Sequence, residues 1–109
     1  MTGAEPTFLY LTTTGRRSGR PREIEIWFTS RGGRYYVISE HGEAAAWVRN
    51  LRACSAVSVR VGGAGFEGRA RVVDAAVEPT LAAAVRARSE AKYGWGDGLV
   101  VEVAPASPR

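Results

Sequence analysis

From Glu23 to Phe28 the chain alternates without a break. Ile24, Ile26 and Phe28 fall on one side; Glu23, Glu25 and Trp27 fall on the other. A period of two is that of a β-strand with one buried face. The same habit flanks it: Phe8–Thr13 predicts a first strand, and Tyr35–Ser39, rich in β-formers, a third. Gly15–Gly19 and Arg31–Arg34 supply turns between them. Strands joined by turns this short pair antiparallel.

The period then changes. Ala44, Trp47, Val48 and Leu51 are spaced as one face of a short helix. Val57, Val59 and Val61 alternate again, Gly62–Gly65 makes a hairpin turn, and Phe66–Val73 forms the next strand. Asp74 is placed to N-cap a second helix over the alanine-rich run Val77–Lys92, with Pro79 in its first turn. Gly94, Gly96 and Gly98 end that helix, and Leu99, Val101 and Val103 form a last strand. The expected fold is mainly β (α+β): six antiparallel strands in a closed or nearly closed barrel, with two short helices. A doubly wound sheet is excluded, because helices do not separate most of the strands.

The 109 residues suit a single domain over 1–109, with loose ends at 1–6 and 105–109. No apolar run approaches the ~20 residues that span a bilayer, and the start lacks a signal-peptide pattern, so a cytoplasmic protein is expected. One cysteine, Cys54, and one histidine, His41, allow neither an internal disulfide nor a zinc site of soft ligands. The net charge is +4, and Lys92 is the only lysine on a basic side made otherwise of arginine. An anionic partner and a solvated surface both fit that charge.

The most unusual segment is Leu11-Thr12-Thr13-Thr14-Gly15-Arg16-Arg17-Ser18-Gly19-Arg20-Pro21-Arg22. It sets four arginines around a glycine-bounded turn at a strand end. Glycine turns expose backbone N–H groups that can form an anion nest, and arginine forks add charge-assisted bonds. A strand follows where a Walker loop would open a helix, so this is not a nucleotide P-loop. By residue type, a phosphate or polycarboxylate cradle and a solvated hairpin with arginines protecting an edge fit equally well.

This run, followed by Trp47-Val48-Arg49-Asn50-Leu51-Arg52-Ala53, resembles the deazaflavin-dependent nitroreductase family, over about Phe8 to Asp74 and more loosely beyond. The resemblance implies a split β-barrel, FMN-binding-like, and the 8-hydroxy-5-deazaflavin coenzyme F-420, with its phosphodiester and oligoglutamate tail. FMN is the alternative cofactor. By position, Arg16, Arg17, Ser18, Gly19 and Arg22 would hold the phosphate end. Ile26 would lie near the ring; Ser39, His41 and Gly42 would line it; Trp47 and Asn50 would brace that wall. Two departures stand out: Glu25-Ile26 replaces the family's usual Pro-Leu pair, and Glu40 stands where a lysine is frequent.

The implied reaction is hydride transfer from reduced deazaflavin to a quinone, nitroaromatic or activated alkene, without a protein nucleophile or a catalytic side chain. With one histidine there is no Ser-His-Asp arrangement for hydrolysis. Trp27, Trp47, Tyr93 and Trp95 are candidates for the acceptor pocket. Trp27 on a polar face also suits a dimer interface, Trp47 at helical spacing suits the core, and Tyr93 and Trp95 could simply pack over the barrel mouth. His41 equally suits a polar loop position. A homodimer is expected. A non-catalytic barrel module holding a flavin, fatty acid or haem is the competing class. Nucleic acid is not expected, since aromatic platforms are not interleaved with Arg16–Arg22.

Overall fold

The computed structural model describes residues 5–106. Seven strands form one antiparallel sheet: β1 (Phe8–Thr14), β2 (Pro21–Trp27), β3 (Thr29–Arg31), β4 (Arg34–Ser39), β5 (Ala56–Val61), β6 (Ala64–Val72) and β7 (Leu99–Pro105). Helix α1 (Ala46–Ala53) lies between β4 and β5, and α2 (Pro79–Tyr93) between β6 and β7. The order across the sheet is β2-β1-β5-β6-β7-β4-β3. Its two edge strands, β2 and β3, are therefore consecutive in the chain. The sheet curls, and the chain itself joins the edges through Phe28. The result is a half-closed barrel with a seam where β2 faces β4.

One strand more is present than the alternation predicts, because the run ending at Phe28 does not stop there. The reason is local. Phe28 donates its N–H to the Tyr93 hydroxyl, and its carbonyl accepts from Lys92 Nζ, both at 3.0 Å. Its backbone groups thus leave the ladder, and the chain changes partners, pairing with β1 before Phe28 and with β4 after it. The β3–β4 and β5–β6 hairpins turn on Gly32-Gly33 and Gly62-Gly63. Both residues of each pair have positive φ, the two-residue turn that suits strand twist.

The inward face carries Leu9, Leu11, Val37, Val57, Val59, Val101 and Val103, all buried. Helix α1 lies across β1 and β6 and inserts Leu51 into this core. Helix α2 packs outside, setting Leu81, Ala82 and Val85 on Tyr36, Ile38, Val73 and Val100. Strand β7 is thus covered on both faces, which explains its nearly unbroken apolar sequence. Each fully buried Leu or Val contributes about 1.5–3 kcal/mol.

The second helix corrects one expectation. Asp74 does not cap it. Its Oδ1 accepts from the Ala76 N–H at 2.9 Å, and its carbonyl accepts from Val77 and Glu78. The helix begins at Pro79. A proline disfavours helical geometry in the residue before it, so it fixes the start there, where its own missing donor costs nothing. Of the ends expected to be loose, 1–4 and 107–109 lie outside the described residues. Inside them, Glu5 bonds Ser30 and Lys92, and the Ala106 N–H donates to the Glu67 carbonyl at 2.8 Å.

Candidate functional site

Two concavities border β2, one near each end. The first lies at the β1–β2 turn. Gly15 donates its N–H to the Arg20 carbonyl and Gly19 donates to the Gly15 carbonyl, both at 2.8 Å, which closes the loop on itself. Ser18 Oγ accepts from the Arg20 N–H at 3.1 Å. A Cβ at Gly15 would meet Ser18 Oγ at 2.7 Å and the Arg20 carbonyl at 3.2 Å, so a larger residue there displaces the Ser18 hydroxyl and presses on the turn.

Helix α1 braces this loop through Asn50. The side chain is buried. Its Oδ1 accepts from the Arg16 backbone N–H at 3.2 Å and from Arg16 Nη1 at 2.9 Å; its Nδ2 donates to Thr13 Oγ1 at 3.3 Å. One amide therefore fixes both the backbone and the guanidinium of Arg16. Gly15, Arg16, Arg17, Ser18 and Arg22 line a concavity of about 350 Å³, with Ala46 and Asn50 opposite.

Charge sets this loop apart. Among the described residues, Arg34, Arg52, Arg60, Arg71 and Lys92 all pair with carboxylates. None of these pairs includes Arg16, Arg17, Arg20 or Arg22, nor Arg31, Arg49, Arg69, Arg86 or Arg88; the loop is set apart by gathering four such arginines within seven residues. All four are exposed. Like charges gathered without counter-charge repel one another, so the cluster gains from an anion that bridges them.

The second concavity lies in the seam. Phe8, Glu25, Ile26, Trp27, Ile38, Glu40 and Trp95 line about 500 Å³. Phe8 and Trp27 face one another in the β1–β2 register and are 38% and 40% exposed, unusual for rings of this size. Trp27 stacks on Tyr93, with centroids 4.4 Å apart and planes 5° from parallel, and meets Trp95 edge-on at 6.4 Å. Glu25 accepts from the Tyr10 hydroxyl at 2.5 Å, and that bond pushes the phenol above its ordinary pKa. Strand β2 connects the two concavities. Arg22 and Ile26 lie on the same face of it, about 13 Å apart at ~3.3 Å per residue.

The sequence-predicted residues divide accordingly. Arg16, Arg17, Ser18, Arg22 and Asn50 come together at the turn, with Gly19 closing it. Ile26, Trp27 and Trp95 meet in the seam. Ser39 is buried and donates to the Gly42 carbonyl at 3.0 Å, shaping the loop after β4; His41 stands exposed between them. From that loop it is Glu40 that lines the cleft. Trp47 packs against the barrel core, apart from the other tryptophans.

Tyr93 has a structural task as well. Its hydroxyl accepts from the Phe28 N–H and lies 2.7 Å from the Thr7 carbonyl, to which it can donate. Lys92, beside it, was not singled out by sequence reasoning. Its Nζ donates to the carbonyls of Pro6 and Phe28 and to Glu5 Oε1, each at 3.0 Å, and sits 4.0 Å over the Phe28 ring. The end of α2 thus latches the seam at the point where the ladder lapses. A lone lysine among arginines next to an aromatic residue was the available signal. Phe8 and Ile38 carried none, since their place in the cleft follows from register and curl.

Comparison with known proteins adds to this geometry. A family model described as F420H2-dependent quinone reductase matches residues 2–101. Among solved structures, the chain is similar to an F420H2-dependent reductase at 22% identity, covering 94% of this chain and 98% of that one, with a TM-score of 0.65. It is similar to HutZ, the heme storage protein of Vibrio cholerae, at 21% identity over 94% of this chain and 83% of that one, with a TM-score of 0.75. A third structure, described as a domain-swapped dimer, is 22% identical over 92% of this chain and 81% of that one, with a TM-score of 0.65. The structural likenesses establish the split-barrel fold.

Proposed function

The chain belongs to the F420H2-dependent quinone reductase family, an oxidoreductase family that uses the deazaflavin coenzyme, and from that premise we propose that it reduces a small electron-poor acceptor in the seam cleft. The carrying observation is the concavity lined by Arg16, Arg17 and Arg22, none of them paired with a carboxylate, joined by one strand to an aromatic cleft. That pairing of surfaces fits a flat ring with a polyanionic tail. Arg16, Arg17, Ser18 and Arg22 hold the phosphate end, and Asn50 keeps Arg16 aimed at it. Ile26 supports the ring. The loop set by Ser39, His41 and Gly42 would flank it, and the outer edge of β2, unpaired in the sheet, has backbone groups free to hold it.

The reduced deazaflavin, when bound, supplies the hydride. The protein's own residues bind, orient and shield. Trp27, stacked on Tyr93, and Trp95 would give the acceptor a flat apolar wall, and positioning it there would lower the entropic cost of the step. Ile26, Phe8 and Ile38 limit water in the cleft. No side chain acts as a nucleophile. The acceptor class is a quinone, nitroaromatic or activated alkene, with quinones favoured by the family description.

Two further parts of the reading go with it. The chain forms a homodimer, for which the dimeric likeness at 22% identity is the support; light scattering giving twice the chain mass supports this, and a monomer at working concentration rejects it. It works in the cytosol, in keeping with an unpaired Cys54. Among the described residues no helix is long and apolar enough to cross a membrane.

The test is a fluorescence titration with oxidised deazaflavin coenzyme and, separately, FMN, followed by oxidation of the reduced coenzyme with a neutral naphthoquinone. Micromolar deazaflavin binding with quinone-dependent turnover supports the reading. FMN binding alone transfers the protein to flavin chemistry, and binding of neither rejects the reductase assignment.

A further inference from the structure

We infer that the two concavities along β2 are of opposite charge, and that Glu25 and Glu40 make the seam cleft, the acceptor end, select uncharged or cationic quinones over anionic ones. The inference rests on the placement of the acceptor in the seam proposed above. Both carboxylates line the same 500 Å³ concavity as Phe8, Trp27 and Trp95. Neither takes part in an ion pair among the described residues; Glu25 receives only the Tyr10 hydroxyl. No arginine or lysine lines this concavity. The other concavity on β2 is the reverse: Arg16, Arg17 and Arg22 line it, and no carboxylate does.

Two independent features of the acceptor end suit a cation. Aromatic faces attract positive charge through the ring quadrupole, and exposed rings of this size cluster here. Two carboxylates at the rim raise the local concentration of cations and lower that of anions. The same polarity orients a polyanionic coenzyme, since its tail is repelled from one end of the strand and held at the other. Glu25 and Glu40 are thus specificity-determining and orienting residues. They touch neither a proton nor a hydride in the reaction.

The experiment compares two naphthoquinones matched in size, one bearing a trimethylammonium group and one a sulfonate. Binding to the full chain is followed by tryptophan quenching, counting the part lost in Trp27→Phe as the signal of the cleft. The expected result is about tenfold tighter binding of the ammonium quinone, a preference that shrinks as salt is raised. In the Glu25→Gln/Glu40→Gln double variant the ratio falls towards one. In Glu67→Gln, which removes a charge from β6 outside both concavities, the wild-type ratio persists. An unchanged ratio in the double variant, or a wild-type preference for the sulfonate, overturns the inference. Because this readout needs no turnover, it stands apart from the reductase assay: a protein that fails to oxidise the reduced coenzyme still reports its charge preference.

Discussion

The two ends of β2 are built in opposite ways. At its start, Gly15–Arg22 supplies nearly the whole cradle from one contiguous stretch, and only Asn50 and Ala46 come from elsewhere. At its end the cleft is gathered from β1, β2, β4 and the segment after α2, from Phe8 to Trp95. The first end is basic and exposed. The second is aromatic, rimmed by the carboxylates of Glu25 and Glu40, and tied down by Tyr93 and Lys92. A turn can carry a binding motif whole, whereas a seam exists only once the sheet has curled. The cradle therefore sets what is bound, and the latch sets whether there is a cleft to bind it in.

Breaking the cradle gives the largest effect. Each arginine bond to a phosphate is worth about 1.5–3 kcal/mol, so Arg16→Ala/Arg22→Ala lowers deazaflavin affinity by about 100-fold or more in a fluorescence titration. The same variant loses no more than about 1–2 kcal/mol in urea unfolding, the worth of the Arg16 Nη1–Asn50 bond, since Asn50 Oδ1 keeps the Arg16 N–H and both side chains are otherwise exposed. The latch behaves the other way. Tyr93→Phe strips the Phe28 N–H of its acceptor and costs about 1–3 kcal/mol of stability, a fall in Tm of several degrees by calorimetry. A Tyr93→Phe protein as stable as wild type would remove the latch from this account.

Asn50→Ala sits between the two ends. It releases Arg16 without removing its charge, and deazaflavin affinity falls by about tenfold, roughly 1.4 kcal/mol. An Asn50→Ala affinity as low as that of Arg16→Ala would make the amide a direct ligand rather than a brace.

The smallest effect is a pH dependence at the latch. Burial pushes the Glu5 carboxyl up, but the bonds from the Ser30 hydroxyl and the Lys92 ammonium outweigh it and hold the group below the ordinary 4.5. A carboxyl lowered on folding stabilises the protein above its unfolded value, and that contribution is lost as pH falls through the folded one. Stability therefore declines below about pH 4.5 and less steeply in Glu5→Gln, as urea midpoints across pH 3–6 would show.

The same contrast explains what was legible in the sequence. Alternation in β1, β2 and β5 and the helical spacing of Trp47, Val48 and Leu51 follow from local burial, and the barrel follows from the order of the elements. The cradle was legible because glycine, serine and arginine chemistry is contiguous there. The break at Phe28 was not. Its cause lies 65 residues away in Tyr93, and the local pattern reads as one strand. Asp74 misled for a related reason: its side chain caps the nearer turn at Ala76, and Pro79 decides where the helix starts. Trp27, Tyr93 and Trp95 were singled out one by one, but only the fold makes them a stack.

The measurement that bears most directly on one coenzyme occupying both concavities of β2 is a pair of titrations against the full deazaflavin coenzyme and its riboside, which lacks the phosphate and tail, in wild type and Arg16→Ala/Arg22→Ala. The account predicts that the double variant binds the full coenzyme about 100-fold or more weakly than wild type does, closing most of the gap to the riboside, while riboside affinity is the same in both proteins. Equal weakening of both ligands, or full-strength coenzyme binding by the variant, would contradict it.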